Sequence, residues 1–289
     1  MAHPCDESSL QGALDAARMG LIAPILVGPE ARIRGVAAKL GAGLEGIEIV
    51  DAPHSVESAA RAVAIVSEGR AEALMKGSLH TDELMAAVVR RETGLRTARR
   101  ISHCFVMDVP DHAETLIITD AAVNIAPTLV EKVDIVQNAI DLAHALGMQE
   151  VRVAILSAME TVNPGVPSTI EAAALCKMAD RGQITGAVLD GPLALDNAID
   201  LHAAKIKKIA SPVAGRANVL VVPDLEAGNM LAKSLTFLAG ADAAGIVLGA
   251  KVPIILTSRA DSLMTRLASC GIAVLVAQTR REAAAKAIG

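Results

Sequence analysis

The sequence predicts an α/β protein made of two three-layer α/β domains with mainly parallel sheets. Short apolar runs alternate with amphipathic helical segments along most of the 289 residues. Most of these runs are continuous rather than alternating with period two, as expected of strands that helices cover on both faces. The chain contains no Trp or Tyr and only two Phe, so its core must consist of aliphatic side chains.

Each element follows from its local pattern. The predicted strands are Ala23–Gly28, Ile47–Ala52, Ala71–Lys76, Arg100–Val109, Leu116–Asp120, Val151–Ala158, Gly186–Asp190, Asn218–Val222, Gly245–Gly249 and Pro253–Leu256. The predicted helices are Ser8–Met19, Ser55–Ser67, Thr81–Arg91, Leu129–Leu146, Ser168–Asp180 and Glu226–Leu238. The first helix begins with "SSLQ", which resembles a capping box, and Gly69 and Gly147 are typical helix stops. The alternation implies right-handed βαβ crossovers.

Two places break this alternation and suggest the domain boundaries. The strands within residues 100–120 are separated by a hairpin-length polar stretch, and those within residues 245–256 have almost nothing between them. We therefore predict a discontinuous domain of residues 1–99 plus 251–289 and a second domain of residues 100–250.

Composition excludes several classes of function. The net charge of −5 contains no long block of like charge, and aromatic platforms for nucleic acid are absent. The four cysteines are far apart and form no CxxC pair, which favours a reducing compartment and no structural zinc. We find no signal-peptide pattern and no apolar run of about 18–20 residues. These features predict a soluble cytoplasmic protein that binds neither nucleic acid nor membranes.

The stretch "GAGLEG" at residues 41–46 matches the G-x-G-x-x-G spacing of dinucleotide-binding loops. Such a loop needs a strand before it and a helix after it, whereas here the helical "RIRGVAAKL" precedes it and the strand-like "IEIV" follows. We therefore interpret these glycines as a helix stop and a turn.

Polar residues gather just after the predicted strands, where ligands bind in open α/β sheets. The candidates for substrate or phosphate binding are Lys76, Ser78, His80, Asn124, Asn163 and Asp190, together with Ser258 and Arg259. Turn and helix-cap residues are the competing explanation for most of them. The helix-cap explanation does not apply to Lys76 and Arg259, because neither side chain offers the acceptor that a cap requires.

A basic cluster, "TGLRTARR", precedes the strand at residue 100. It is either a solvated surface patch or an oxyanion site, because the planar guanidinium group matches phosphate in bidentate geometry. We expect Arg96 or Arg99 to supply a second phosphate contact.

Several long segments resemble a known family. They are "LMKGSLHTDELM", "LRTARRISHCFVMDVP", "LIITDAAVNIAPTLVEKVDIVQNAIDLAHALG", "AILSAMETVNPGVPSTIEAAALCKMADRGQITGAVLDGPLALDNAI" and "VPDLEAGNMLAKSLTFLAGADAAGIVLGAKVPIILTSRADS". The resemblance is to the phosphate acetyl/butyryltransferase family, on its butyryl-type branch, and covers about residues 20–275.

This resemblance implies a reversible reaction in which acyl-CoA and inorganic phosphate give acyl phosphate and CoA. It also implies two α/β domains of the isocitrate/isopropylmalate dehydrogenase-like type, an active site in the cleft between them, and a homodimer. CoA is then a substrate, and neither a cofactor nor a metal is required.

The resemblance also implies roles for residues of the stretch "TSRADS". Ser258 corresponds to a serine that hydrogen-bonds the thiol or the developing charge, and Arg259 to an arginine that neutralises the phosphate and the oxyanion. A carboxylate should assist deprotonation of the thiol. Asp261 is the nearest one, at an offset that differs from the family pattern, so it is either this base or a helix N-cap.

Two other functions compete with this prediction. A metal-dependent dehydrogenase of the same fold would need clustered aspartates and a nucleotide loop, and neither is evident. A non-catalytic domain that binds CoA or acyl phosphate would need no general base.

Overall fold

The computed structural model describes residues 1–257 and 261–288, with side chains to residue 286. The strands are β1 Ile25–Gly28, β2 Glu48–Asp51, β3 Leu74–Met75, β4 Ser102–Asp108, β5 Leu116–Thr119, β6 Arg152–Leu156, β7 Val188–Leu193, β8 Val219–Val221, β9 Asp242–Leu248 and β10 Ile254–Ile255. The helices are α1 Glu7–Arg18, α2 Glu30–Lys39, α3 Ser55–Ser67, α4 Thr81–Val88, α5 Leu129–Ala145, α6 Pro167–Asp180, α7 Leu195–Ile199, α8 Leu201–Ile206, α9 Leu225–Leu238 and α10 Leu263–Ile288.

Contacts within the chain divide it into two compact units. Unit 1 comprises Met1–Arg99 and Ala244–Gly289, and unit 2 comprises Arg100–Ala243. Each unit carries its own strands and helices, so the two are described separately.

In unit 1 the N-terminal segment, residues 1–6, lies between two pairs of strands. β1 pairs with β2 in parallel, and β3 pairs in parallel with β10, which is antiparallel to β9. Ala2 forms parallel bridges to both Val27 and Lys76, so the segment joins β1 to β3. The local sequence gave no sign of this strand-like segment, because only two or three of its residues pair.

Unit 2 contains strands in the order β4-β5-β8-β6-β7, with β4 antiparallel to β5 and the others parallel. The β4–β5 pair confirms the predicted hairpin. Register places Ile118, Leu220 and Ala154 side by side, on the face that packs against α7, α8 and α9. Their neighbours in sequence, such as Ile117 and Val219, point to the opposite face and are also fully buried. The sheet is therefore covered on both faces, as its continuous apolar strands predict.

Helix ends agree with the sequence signals at most positions. Gly69 and Gly147 follow α3 and α5 with φ of +76° and +84°, a conformation that glycine adopts without steric cost. The "SSLQ" prediction was wrong, because α1 begins at Glu7. Asp6 is its N-cap, and its carboxylate accepts the Ser9 N–H at 2.8 Å.

The structure also differs from the prediction in the lengths of two strands and in the number of helices. β3 and β10 are only two residues long, and α7, α8 and the 26-residue α10 were not predicted. The "GAGLEG" stretch does form a helix stop and turn, since α2 ends at Lys39 and β2 begins at Glu48. No helix within the described residues is both long and apolar enough to cross a membrane.

Candidate active site

Lys76 connects the end of β3 to the end of β10 within unit 1. Only 6% of this residue is exposed, and its Nζ donates to the backbone oxygens of Gly77, at 3.4 Å, and Thr257, at 3.3 Å. Thr257 directly precedes Ser258 and Arg259, two of the three predicted catalytic residues. Both of these lie outside the described residues, as does Ala260. The structure thus places the ammonium group of Lys76 at the base of the predicted catalytic loop.

Gly77 and Ser78 hold the N-terminal segment against the end of β3. A Cβ at position 77 would lie 2.4 Å from the backbone oxygens of both Ala2 and His3, so only glycine fits there. The Ser78 hydroxyl donates to the His3 oxygen at 2.9 Å and accepts the Cys5 N–H at 3.2 Å. Ser78 therefore fixes the path of the segment.

Asp261 is not the N-cap of α10, although the sequence left that role open. Ser262 performs it, because its Oγ accepts the Thr265 N–H at 3.1 Å. The backbone oxygen of Asp261 accepts a hydrogen bond from Arg266 at 3.2 Å. The helix-cap explanation for Asp261 is thereby removed, and its catalytic role stays a prediction.

His80 precedes α4, where the sequence favoured either a cap or a ligand contact. Its backbone N–H donates to the Glu83 carboxylate at 2.9 Å, and the other oxygen of Glu83 accepts the Ser55 hydroxyl at 2.7 Å. These two bonds hold the pKa of Glu83 below its usual value. The His80 side chain itself is exposed.

Arg96 and Arg99 are exposed residues on a loop whose backbone is fixed. Arg96 bridges Ala250, and the Thr97 hydroxyl donates to the Gly249 oxygen at 2.6 Å and accepts the Arg99 N–H at 3.1 Å. The structure thus presents both residues at the surface of unit 1.

In unit 2, Asn124 is the centre of a buried network that follows β5. Its Nδ2 donates to the Ile101 oxygen at 2.9 Å and to the Asp120 carboxylate at 2.5 Å, and its Oδ1 accepts from Arg100 Nε at 2.7 Å. Asp120 also accepts the N–H of Ala122, at 2.9 Å. The amide of Asn124 is therefore engaged by the protein at both of its polar atoms.

Asn163 and Asp190 form local side-chain bonds in unit 2. Asn163 Oδ1 accepts the Gly165 N–H at 2.9 Å, and Asp190 Oδ1 accepts the Gly191 N–H at 2.8 Å. The Asn163 bond is typical of a turn residue, whereas Asp190 lies inside β7, which continues to Leu193. Their predicted contacts with substrate stay predictions.

Cys104 is buried and Cys176 is half-buried. Burial raises the pKa of each of these two thiols to about 12, so both are protonated at neutral pH. Among the described residues, no group of three or more His, Cys, Asp and Glu is arranged to hold a metal ion.

The sequence analysis did not single out His3, a buried histidine of the N-terminal segment in unit 1. His3 is 7% exposed, and its Nδ1 lies 3.0 Å from Ser58 Oγ. The only available signal was "HP" before a helix cap, which is too short to distinguish a buried histidine from a turn.

Comparisons with known proteins agree with the resemblance seen in the sequence. The family profile described as "Phosphate acetyl/butaryl transferase" matches residues 54–274. A phosphate acetyltransferase of Rhizobium meliloti is 69% identical over 288 residues, which span 100% of this chain and 91% of that protein. A phosphate butyryltransferase of Clostridium acetobutylicum is 42% identical over 272 residues, which span 94% and 90%.

A solved structure supports the same assignment. The branched-chain phosphotransacylase from Enterococcus faecalis V583 matches with a TM-score of 0.74 and 30% identity, covering 88% of this chain and 99% of that one. The mainly parallel α/β fold class is therefore confirmed. This chain belongs to the phosphate acetyl/butyryltransferase family.

Proposed function

We propose that this protein transfers a short acyl group reversibly between CoA and inorganic phosphate, with acetyl-CoA or butyryl-CoA as the acyl-CoA substrate. Its membership of the family carries the proposal. The contact of Lys76 with Thr257 supports it, because a buried cation beside the predicted catalytic loop suits a reaction of two anionic substrates. The location of the site in a cleft stays a prediction from the sequence.

The proposed chemistry needs orientation and charge stabilisation rather than a covalent intermediate. Arg259 pairs with the phosphate and stabilises the oxyanion that forms at the acyl carbonyl, an interaction worth about 3 kcal/mol in comparable sites. Ser258 donates a hydrogen bond to the sulfur or to the developing charge. Holding both substrates in attack geometry supplies much of the remaining rate enhancement.

Arg96 and Arg99 are proposed as additional contacts for phosphate groups. Both are exposed on a loop of unit 1 whose backbone is held by Thr97. Lys76 and Ser78 are proposed to shape the phosphate site from the adjacent strand end.

We also propose a cytoplasmic homodimer that uses no cofactor. Helix α9 supports a dimer, because Met230, Phe237 and Leu238 are 63%, 76% and 86% exposed. Large apolar side chains grouped on a surface are typical of an interaction site. Sedimentation velocity should give a mass near twice the 29.7 kDa of one chain.

The activity is tested by following free thiol with acetyl-, propionyl- and butyryl-CoA, each with and without phosphate. We expect phosphate-dependent CoA release with at least one of them, and the fastest one identifies the preferred acyl group. Absence of release from all three would favour the non-catalytic CoA-binding domain. Metal-dependent reduction of a nicotinamide cofactor would instead indicate the dehydrogenase.

A further inference from the structure

A cavity of about 360 Å³ lies inside unit 1. Its walls come from β1, β3, β10, α3 and α10 and from the loops that precede β1 and β3. Small-molecule sites in proteins typically have volumes of roughly 300–1,000 Å³. The cavity is therefore large enough for a small ligand.

Small side chains on the surrounding helices leave this space open. Along β1, Leu26 packs into the apolar cluster formed with α1 and α2, whereas Ile25 and Val27 on either side of it line the cavity. This division follows from the alternation of side chains along a strand. On α10 the lining includes Ala273 and Ala277, whose side chains are single methyl groups. Side chains of this size do not fill the space beside β1 and β3.

The cavity has an apolar inner end and a charged mouth. Among the described residues that line it, the three with charged side chains are Arg70, Glu72 and Arg281, and all three are exposed. The lining residues of β3 and β10 are buried. Burial lowers the pKa of the Met1 amine to about 5 and raises that of the Cys270 thiol to about 11, so both are uncharged at neutral pH. Such a cavity suits a ligand with an apolar body and one charged end.

The mouth opens away from the predicted catalytic loop. Arg70 and Glu72 precede β3, and β3 runs in the same direction as β1, since Ala2 forms parallel bridges beside both strands. The mouth therefore lies at the amino ends of these strands. Lys76 and Thr257 follow the carboxyl ends of β3 and β10. A ligand that enters through this mouth thus occupies a site separate from the one predicted at the strand carboxyl ends.

Arg281 is the cation at the mouth that is best placed to receive an anion. It makes one hydrogen bond within the described part of the chain, from Nη1 to Glu72 at 3.3 Å. Since a guanidinium group has five N–H donors, most of them are left for a ligand. Arg70, by contrast, pairs with two carboxylates, those of Glu48 at 2.5 Å and Glu68 at 3.7 Å. A carboxylate on the ligand would share the guanidinium group of Arg281 with Glu72.

We propose that this cavity binds a straight-chain carboxylic acid of about ten carbons, with its chain inside and its carboxylate on Arg281. At about 30 Å³ for each heavy atom, the space each molecule has in liquid water, the cavity accommodates about 12 heavy atoms. Decanoate has this number. The site is distinct from the proposed transfer reaction, and its occupation does not depend on that reaction.

A series of acid chain lengths tests the size of the site on the wild-type protein. Calorimetric titrations with saturated acids of six to fourteen carbons should show one site per chain, with a Kd for decanoate of about 10–100 µM. Affinity should rise about fourfold for each added CH₂ up to about ten carbons and then level, because further carbons stay in water. Lack of saturation by 1 mM decanoate, or a rise that continues through fourteen carbons, would overturn the proposal.

A cavity-filling variant tests the location and has a matched control. Ala277→Leu adds three carbons at the cavity wall, so the affinity should level at about seven carbons and decanoate should bind at least tenfold more weakly. Ala284→Leu makes the same change at an exposed position of α10 outside the lining and should bind as wild type does. Equal affinities of the two variants for decanoate would place the binding elsewhere and refute the site.

The role of Arg281 is tested by comparing decanoate with 1-decanol, which has no charge. Wild type should bind decanoate about threefold to fivefold more tightly, as expected of an exposed ion pair. Arg281→Gln should remove this preference without changing the affinity for 1-decanol, and Glu72→Gln should increase the preference. Arg70→Gln is the control and should retain it. Equal binding of the two ligands by wild type, or equal effects of the two arginine variants, would contradict the assignment of the carboxylate to Arg281.

Discussion

The strand ends of unit 1 and unit 2 carry similar polar residues but use them differently. In unit 1, Lys76 bonds Thr257, which is 181 residues away in the chain, and Ser78 bonds His3, which is 75 residues away. In unit 2, Asn163 and Asp190 bond residues two and one positions away. The unit 1 residues join separate segments of the chain, whereas the side chains of these two unit 2 residues bond neighbours within their own segments.

This difference distinguishes a site from strand-end turns better than residue type does. Asp, Asn and Ser are favoured in turns because they bond their own backbone, and such bonds explain them fully. A long-range bond has no such local explanation. Asn124 falls between these two cases. It bonds Arg100 and Ile101, which are 24 and 23 residues away, but these bonds belong to a buried network within unit 2.

The largest effect is expected from Arg259→Ala. Removal of the charge that stabilises the oxyanion should lower kcat/KM by about 10²–10³-fold. The melting temperature should stay within about 2 °C of wild type, because the loss is of catalysis rather than of folding. Steady-state kinetics with both substrates varied give the first quantity, and thermal unfolding gives the second. A change within twofold would remove Arg259 from the site.

Gly77→Ala should damage unit 1 through its backbone. The new Cβ would lie 2.4 Å from two backbone oxygens, so the N-terminal segment must move. We expect the free energy of unfolding to fall by about 3 kcal/mol, near the upper end of typical overpacking effects. Gly20→Ala is the control for backbone strain without a steric clash, since Gly20 has a positive φ and a Cβ there would have no neighbour within 4 Å. Equal losses for the two variants would show that the close approach at residue 77 is unimportant.

Asn124→Ala should reveal whether the unit 2 network is structural. The change leaves the Ile101 oxygen and part of the Asp120 carboxylate without a donor, which should lower the free energy of unfolding by about 2 kcal/mol. Urea denaturation measures this loss, and KM for phosphate measured on the folded variant should change less than threefold. A tenfold rise in KM with unaltered stability would instead assign Asn124 to the substrate.

The smallest effect is expected from Asn163→Ala. This residue is exposed, and its side chain supports one turn through the Gly165 N–H. We expect a loss of about 0.5–1 kcal/mol in stability and kinetics close to wild type. A large rise in KM for CoA or phosphate would show that a turn residue with only local bonds can still belong to the site.

Patterns within one segment of sequence predicted most of the fold. The continuous apolar strands indicated sheets buried on both faces, and Gly147 and Gly69 marked helix ends correctly. The N-terminal segment was missed because its backbone pairing is carried by Met1, Ala2 and His3, and a run that short has no periodicity. Helix α10 was missed because its last turns are exposed and rich in alanine, so they show no apolar face.

Within the candidate site, the sequence singled out only the basic residues that a turn or a helix cap does not explain. Lys76 and Arg259 stood out because neither can act as a cap. The arrangement around Lys76 could not be predicted, since its bond to Thr257 depends on β3 and β10 becoming neighbours. His3 was missed for the same reason, as its partner Ser58 is 55 residues away.

Transfer of an acyl group between CoA and phosphate is the activity proposed for this chain. The most direct test measures free thiol and acyl phosphate together while the enzyme consumes butyryl-CoA or acetyl-CoA at saturating phosphate. We expect the two products to form in a one-to-one ratio, and neither to form without phosphate. Thiol release without an equal amount of acyl phosphate would show hydrolysis instead and would contradict the claim.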